Sequence, residues 1–158
     1  VYGGFNTSLS WKGFDLSAIF AYSIGGYIYN RDITMILHNG SLEGRDWSTE
    51  ILKRWTPDNR YTDVPALSTT SNNWNSASTR FLQNNSYMRL KNLTLSYNLP
   101  KQWISKLSLS SVQVYVQGDN LFTIHRNQGL DPEQGITGIT YYRYPAMRTI
   151  SGGINVSF

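Results

Sequence analysis

Along the last eleven residues, RTISGGINVSF, apolar and polar positions alternate. Ile150, Gly152, Ile154, Val156 and Phe158 share one parity, and Thr149, Ser151, Gly153, Asn155 and Ser157 share the other. Successive side chains of a strand point to opposite faces, so the pattern predicts a strand over 148–158 with one oily and one polar side. Arg148 stands at the head of the oily row, where a strand crossing a membrane would meet water.

The same period recurs upstream. Residues 1–11 place Val1, Phe5, Leu9 and Trp11 opposite Asn6, Ser8 and Ser10. Lys12-Gly13 then reads as a two-residue hairpin turn, with glycine available for a positive φ. A second strand is predicted over 14–29, with Phe14, Leu16, Ala18, Phe20 and Tyr22 on one face, although Ile19 and Ala21 interrupt the polar one. Strand character resumes over 81–99, where Leu93, Leu95, Tyr97 and Leu99 share a parity that Met88 and Leu90 do not. That change of phase predicts a bulge near Lys91-Asn92. Residues 111–124 set Val112, Val114 and Val116 against Gln113, Tyr115, Gln117 and Asp119. Between the strands lie two long loops, about 30–80 and 125–147. Trp47–Trp55 reads as a short helix capped by Ser48, 68–79 as an exposed excursion, and Gln102–Lys106 as a helical turn.

Connections thus alternate short and long across five strands. Membrane β-barrels put short turns on the periplasmic side and long loops outside the cell. If Phe158 lies at the periplasmic end, both short links fall inside and both long loops outside. Five strands cannot enclose a channel, and alone they leave two open edges and a broad oily face. Val1 opens directly into a strand. The expectation is therefore an all-β chain: the C-terminal five antiparallel strands of a larger transmembrane barrel.

Composition points the same way. Charged residues are 15% of the 158-residue chain, against an ordinary share of ~25%, while aromatics reach 14%. Mean hydropathy is nonetheless −0.37, and no stretch approaches the ~18 consecutive apolar residues of a membrane helix. A barrel hides its hydrophobicity in every second position. The net charge of +4 is scattered, without the basic cluster that a nucleic-acid partner needs. Cysteine is absent, which removes disulfides and thiolate metal sites. His38 and His125 stand alone, so no metal is expected, and no nucleophile–base pair or phosphate loop is evident.

Several separate motifs, in order, carry a resemblance. RWTPDN, SYMRLKNLTLSYNLP, VQVYVQGDNLFT, GLDPE and YPAMRTISGGINVSF resemble the C-terminal end of SusC/RagA-type TonB-linked outer-membrane transporters of Bacteroidetes. The match is strong from about Ile51 to Phe158 and looser over residues 1–30. The resemblance implies a barrel of about 22 strands, the size of plugged transporters. It also implies a plug domain and a TonB-contacting segment, neither contained in this chain, and a SusD-like surface lipoprotein that caps the barrel. The implied activity is TonB-energised uptake of oligosaccharides or peptides across the bacterial outer membrane, with no cofactor and no catalysis.

Candidate residues follow. By the resemblance, Phe158, with Val156 and Ile154, forms the signal read by the barrel-assembly machinery; the plain alternative for Phe158 is a buried aromatic. Trp11, Phe14, Tyr97 and Trp103 flank the short connections and suit an interfacial aromatic girdle, or else ordinary packing. Trp47, Trp74, Tyr141, Tyr142 and Tyr144 lie in the long loops, as contacts to substrate or lid, or as loop packing; Trp55 lies beside them. Gln113, Gln117, Asp119 and Asn120 are candidate polar lumen residues, or solvate the lumen without touching cargo. Asp131 and Glu133 of GLDPE raise a paired-carboxylate glycosidase, with loop structure the more ordinary reading and calcium a distant one. A soluble β-sandwich that binds carbohydrate is the competing architecture; its oily faces would pack against each other.

Overall fold

The computed structural model describes the chain apart from residues 39, 41, 43, 69, 71–75, 106–107, 128–130 and 134–136. Strands β1 (Tyr2–Trp11) and β2 (Phe14–Ser23) form a hairpin whose register runs from Trp11↔Phe14 to Tyr2↔Ser23. Lys12 and Gly13 both have positive φ, 48° and 89°. Such a turn has the twist that two flanking strands require.

Three further strands extend this hairpin: β5 (Tyr87–Asn98), β6 (Ser111–His125) and β8 (Thr149–Ser157). The order is β1-β2-β5-β6-β8, with every neighbour antiparallel. The short helix α2 (Lys101–Ile104) stands between β5 and β6. One irregularity crosses the sheet. Asn92 pairs with Asp119 and Leu90 with Phe122, so Lys91 stands opposite both Asn120 and Leu121. Asn120 has φ 52°, the left-handed conformation that Asn tolerates better than most residues. Against β2 the extra residue is Lys91 itself, since Ile19 pairs with Asn92 and Phe20 with Leu90; that bulge on β5 causes the parity change between Leu90 and Leu93.

The remaining residues build a second compact unit, Tyr27–Asn84 with Glu133–Arg143. Its sheet is β4 (Leu82–Asn84), β3 (Tyr27–Asn30) and β7 (Ile139–Thr140), with β3 parallel to β7. Helix α1 (Arg31–Ile36) starts at Asn30, whose side chain accepts the Ile33 N–H at 3.1 Å. Ile28, Asn30, Phe81 and Thr140 form the buried centre. Ser48 caps a 3-10 helix over Thr49–Lys53, within the stretch read as a short helix. Residues 14–29, expected as one strand, make two. Gly25 and Gly26 both adopt φ 81°, which breaks β-geometry and starts β3 in a different sheet. Residues 81–99 likewise divide into β4 and β5. The stretch 30–80 is more than a loop, because it carries α1 and the 3-10 helix. No helix among the described residues is long and apolar enough to cross a membrane.

Candidate functional site

Register places the large apolar residues of five strands in rows. Trp11, Phe14, Tyr97 and Val114 lie side by side, then Leu9, Leu16, Leu95 and Val116. Val114 continues the first row to Ile154, and Gly118 stands beside Ile150. Phe5 and Phe20 stack at 4.7 Å. Among the described residues nothing covers Leu9, Ile150 or Ile154 on this face, which are 66%, 71% and 64% exposed. In a sandwich the opposite holds, since each oily face is buried by the facing sheet. The sandwich expectation is corrected on this point.

The opposite face is polar and bonded to itself. Asn155 donates to Gln113 at 3.2 Å, and Gln113 donates to Ser96 at 3.3 Å. Asn92 donates to Asp119 at 2.8 Å, Gln117 reaches the same carboxylate at 3.2 Å, and Thr94 donates to Asn92 at 2.9 Å. Asp15 accepts from Ser10 at 2.5 Å and from Asn98 at 2.7 Å. Gln113 therefore belongs to one cross-strand set, and Gln117 and Asp119 to a second. Asn120 departs from both, because the bulge turns its side chain to the Met147 carbonyl at 3.2 Å.

At the end of this face, Arg89 of β5 forms an ion pair with Asp131, their side chains only 4% and 7% exposed. The Arg89 Nε also donates to Thr123 of β6 at 2.9 Å. The other Asp131 oxygen accepts the backbone N–H of Ala146 at 2.7 Å. A cavity of about 480 Å³ lies beside the pair, lined in part by Asn120, His125 and Arg148.

No protein-family model matches the chain. Individual relatives do. TonB-dependent receptor P3 of Formosa agariphila is 34% identical over 98% of this chain and 16% of its own length. TonB-dependent receptor SusC of Bacteroides thetaiotaomicron is 28% identical over 98% of this chain and 15% of its own length. Among solved structures, a chain of the RagAB peptide transporter superposes with a TM-score of 0.87, at 36% identity, over 99% of this chain and 17% of that one. The RagAB peptide importer matches in its closed-closed state with a TM-score of 0.85 and in its open-open state with 0.86, both at 35% identity. The chain is a segment of a SusC/RagA-type TonB-dependent receptor.

The segment spans about a sixth of the length of the relatives it matches. Its sheet is part of a transmembrane barrel in the outer membrane, and the relatives named are receptors and importers rather than enzymes. In a SusC/RagA-type barrel, an exposed oily face and a self-bonded polar one are what lipid outside and water inside require. Asp131 is not poised as a glycosidase acid, because Arg89 and Ala146 engage both of its oxygens. Glu133 is exposed. Among the described residues no three metal-binding side chains cluster. His38 is fully buried edge-on to Trp47 at 4.6 Å, with no hydrogen-bond partner among the described residues. His125 meets the Asn127 carbonyl through Nδ1.

The remaining candidates of this SusC/RagA-type segment fall as follows. Tyr141 and Tyr142 are exposed, their rings 4.5 Å apart, with the Arg31 guanidinium 4.6 Å from the Tyr141 ring. Tyr142 has φ 46°, and its N–H is held by Asp32 at 2.9 Å. Tyr144 is 98% exposed, Trp47 is exposed, and Trp74 lies outside the described residues. Trp11, Phe14 and Trp103 are exposed, and the rings of Phe14 and Tyr97 lie 4.4 Å apart, tilted by 36°. Val156 and Ile154 belong to β8, and Phe158 follows it, exposed, its carbonyl bonded by Ser110. Sequence reasoning passed over Arg89; the one signal was a lone cation within a strand of otherwise alternating character.

Proposed function

We propose that the full-length receptor is an outer-membrane nutrient importer. It takes up oligosaccharides or peptides with energy delivered through TonB, and works with a SusD-like surface lipoprotein as its lid. The observation that carries this reading is the two-sided sheet: a polar face whose side chains bond one another, backed by an uncovered oily one. Such a wall suits a hydrated passage through hydrocarbon. The likeness to SusC and to the RagAB peptide importer supports the class of cargo and the lipoprotein partner.

On this reading the Lys12-Gly13 turn and the 100–110 link face the periplasm, and both long loops face outside. Trp11, Phe14, Tyr97 and Trp103 form the periplasmic girdle. Trp47, Trp74, Tyr141, Tyr142 and Tyr144 are contacts to cargo or lid. Gln113, Gln117 and Asp119 solvate the passage, with Asn120 at its rim. Phe158, Val156 and Ile154 present the assembly signal. The plug and the TonB-contacting segment belong to the rest of the receptor.

The test is uptake of labelled oligosaccharide and peptide pools by cells carrying the full-length receptor. The pools are compared with and without TonB, and with and without the lipoprotein. One pool accumulating only when all three proteins are present supports the proposal. Accumulation independent of TonB refutes it.

A further inference from the structure

We infer that Asp32 is a positioning residue: it holds Tyr142, beside Tyr141, as a ready-made aromatic seat for one sugar ring of an oligosaccharide cargo. The inference rests on the importer reading above and deepens it, by naming the class of cargo and the residue that sets the contact. All the residues concerned belong to the second unit. Strands β3 and β7 run parallel, with Asn30 beside Thr140, so the segments that follow them emerge at the same end. After β3 comes the first turn of α1, with Arg31 and Asp32, and after β7 come Tyr141 and Tyr142. Asn30 caps that turn through the Ile33 N–H, which fixes the place of Asp32. One Asp32 oxygen accepts the Tyr142 N–H at 2.9 Å, and the other accepts the hydroxyl of the buried Thr140 at 3.4 Å.

Tyr142 needs that hold. Its φ of 46° is left-handed, where an L side chain crowds its own backbone. A tyrosine keeps such a conformation only when its surroundings impose it, and strain of this kind collects where a side chain has to be placed for binding. Here it places two exposed rings 4.5 Å apart and tilted by 57°, with the Arg31 guanidinium 4.6 Å from the Tyr141 ring.

Size and chemistry select the occupant. Tyr141 is 45% exposed and Tyr142 64%. Together they offer roughly 200 Å², about a quarter of the ~800 Å² that a protein partner covers. That is too little for the lid and enough for one small group. A peptide main chain is recognised through backbone donors and acceptors, and the Tyr142 N–H is already engaged by Asp32. A sugar ring instead offers C–H groups to the aromatic faces and hydroxyls to a donor beside them, and Arg31 is such a donor.

The experiment uses the full-length receptor with its lipoprotein in intact cells, supplied with the labelled oligosaccharide pool and, separately, the labelled peptide pool. Uptake is measured per assembled receptor for wild type, Asp32→Ala, Asp32→Asn, Tyr142→Gly, and Asp32→Ala combined with Tyr142→Gly. Asp32→Ala is expected to raise the KM for the oligosaccharide pool ~10-fold with the maximal rate unchanged, the mark of a lost binding contact. Asp32→Asn keeps an acceptor oxygen for the Tyr142 N–H and should restore most of the affinity. Tyr142→Gly relieves the left-handed φ but removes the ring, so the KM rises as far. Adding Asp32→Ala to it should change nothing more, because Asp32 acts through that ring.

A further rise in the combined variant, an unchanged KM in Asp32→Ala, or a loss confined to the amount assembled overturns the inference. A KM that rises for the peptide pool and not for the oligosaccharide pool overturns the sugar seat. Loss of the lipoprotein from the purified Asp32→Ala complex assigns the ring pair to the lid and overturns it too. If wild type accumulates neither pool, the importer reading fails by itself, and chymotrypsin cleavage after Tyr142 in the purified receptor decides the hold. Faster cleavage in Asp32→Ala than in wild type then supports the hold, and equal cleavage overturns it.

Discussion

The two faces of the sheet are made by the same strands, residue about, and hold together in different ways. On the oily face the side chains lie in exposed rows, with the rings of Phe5 and Phe20 and of Phe14 and Tyr97 paired between neighbouring strands. On the polar face side chains bond across strands, from Asn155 through Gln113 to Ser96 and from Gln117 through Asp119 to Asn92. Hydrocarbon can satisfy the first face without directional bonds, whereas the second must satisfy donors and acceptors beside water. The oily face should therefore tolerate changes of shape but not of charge, and the polar face the reverse.

The largest expected effect comes from placing a charge on the oily face. Ile154→Asp in the full-length receptor should abolish the heat-modifiable, folded species on gels, while Asn155→Asp on the adjacent polar position should assemble normally. Equal assembly of the two variants would reverse the assigned faces. Next comes Arg89→Ala, which leaves the buried Asp131 carboxylate without its cation and should cost about 3–5 kcal/mol, read as a lowered denaturant midpoint of the purified receptor. An insertion of shape comes third. A methyl group at Gly153 would lie 2.7 Å from the Tyr115 hydroxyl on the polar face, whereas at Gly152 it would meet only the Tyr115 carbonyl oxygen, at 3.3 Å. Gly153→Ala should cost about 1–3 kcal/mol as the ring is displaced, and Gly152→Ala less in the same unfolding measurement. Smallest is Ser10→Ala. It removes one exposed bond to Asp15 while Asn98 keeps the other, a loss of about 0.5–1 kcal/mol in the same midpoint.

The faces themselves are legible in the sequence, because a period of two leaves its mark over ten or more residues. Even the bulge is visible, as the mismatch of Leu90 with Leu93. What escapes is what period cannot encode. β3 is four residues long and β7 two, too short for alternation to mean anything, and their joining depends on contacts far apart in sequence. Gly25-Gly26 marked the place where the second strand breaks, but Tyr27, Ile28 and Tyr29 continue to look like strand and mask it. Arg89 and Asp131 are 42 positions apart, and neither is unusual locally. The carboxylate at 131 was visible as a charge in a loop, but its burial against β5 is a property of the folded chain alone. Among the aromatic candidates, Tyr141 and Tyr142 are adjacent by sequence, yet the anchoring of Tyr142 by Asp32 could not be read from either residue.

The parallel pairing of β3 with β7 bears on how the molecule matures. Asp32 and Tyr142, bonded beside that pairing, are 110 positions apart, and all of β5 and β6 is synthesised between them. Hairpin β1-β2 closes over a two-residue turn, but the loop unit has to wait for a distant piece of chain, and such long-range closures are slow. Maturation should thus run from sheet to loops, with a late intermediate whose five-stranded sheet is paired and whose second unit is still open to proteases.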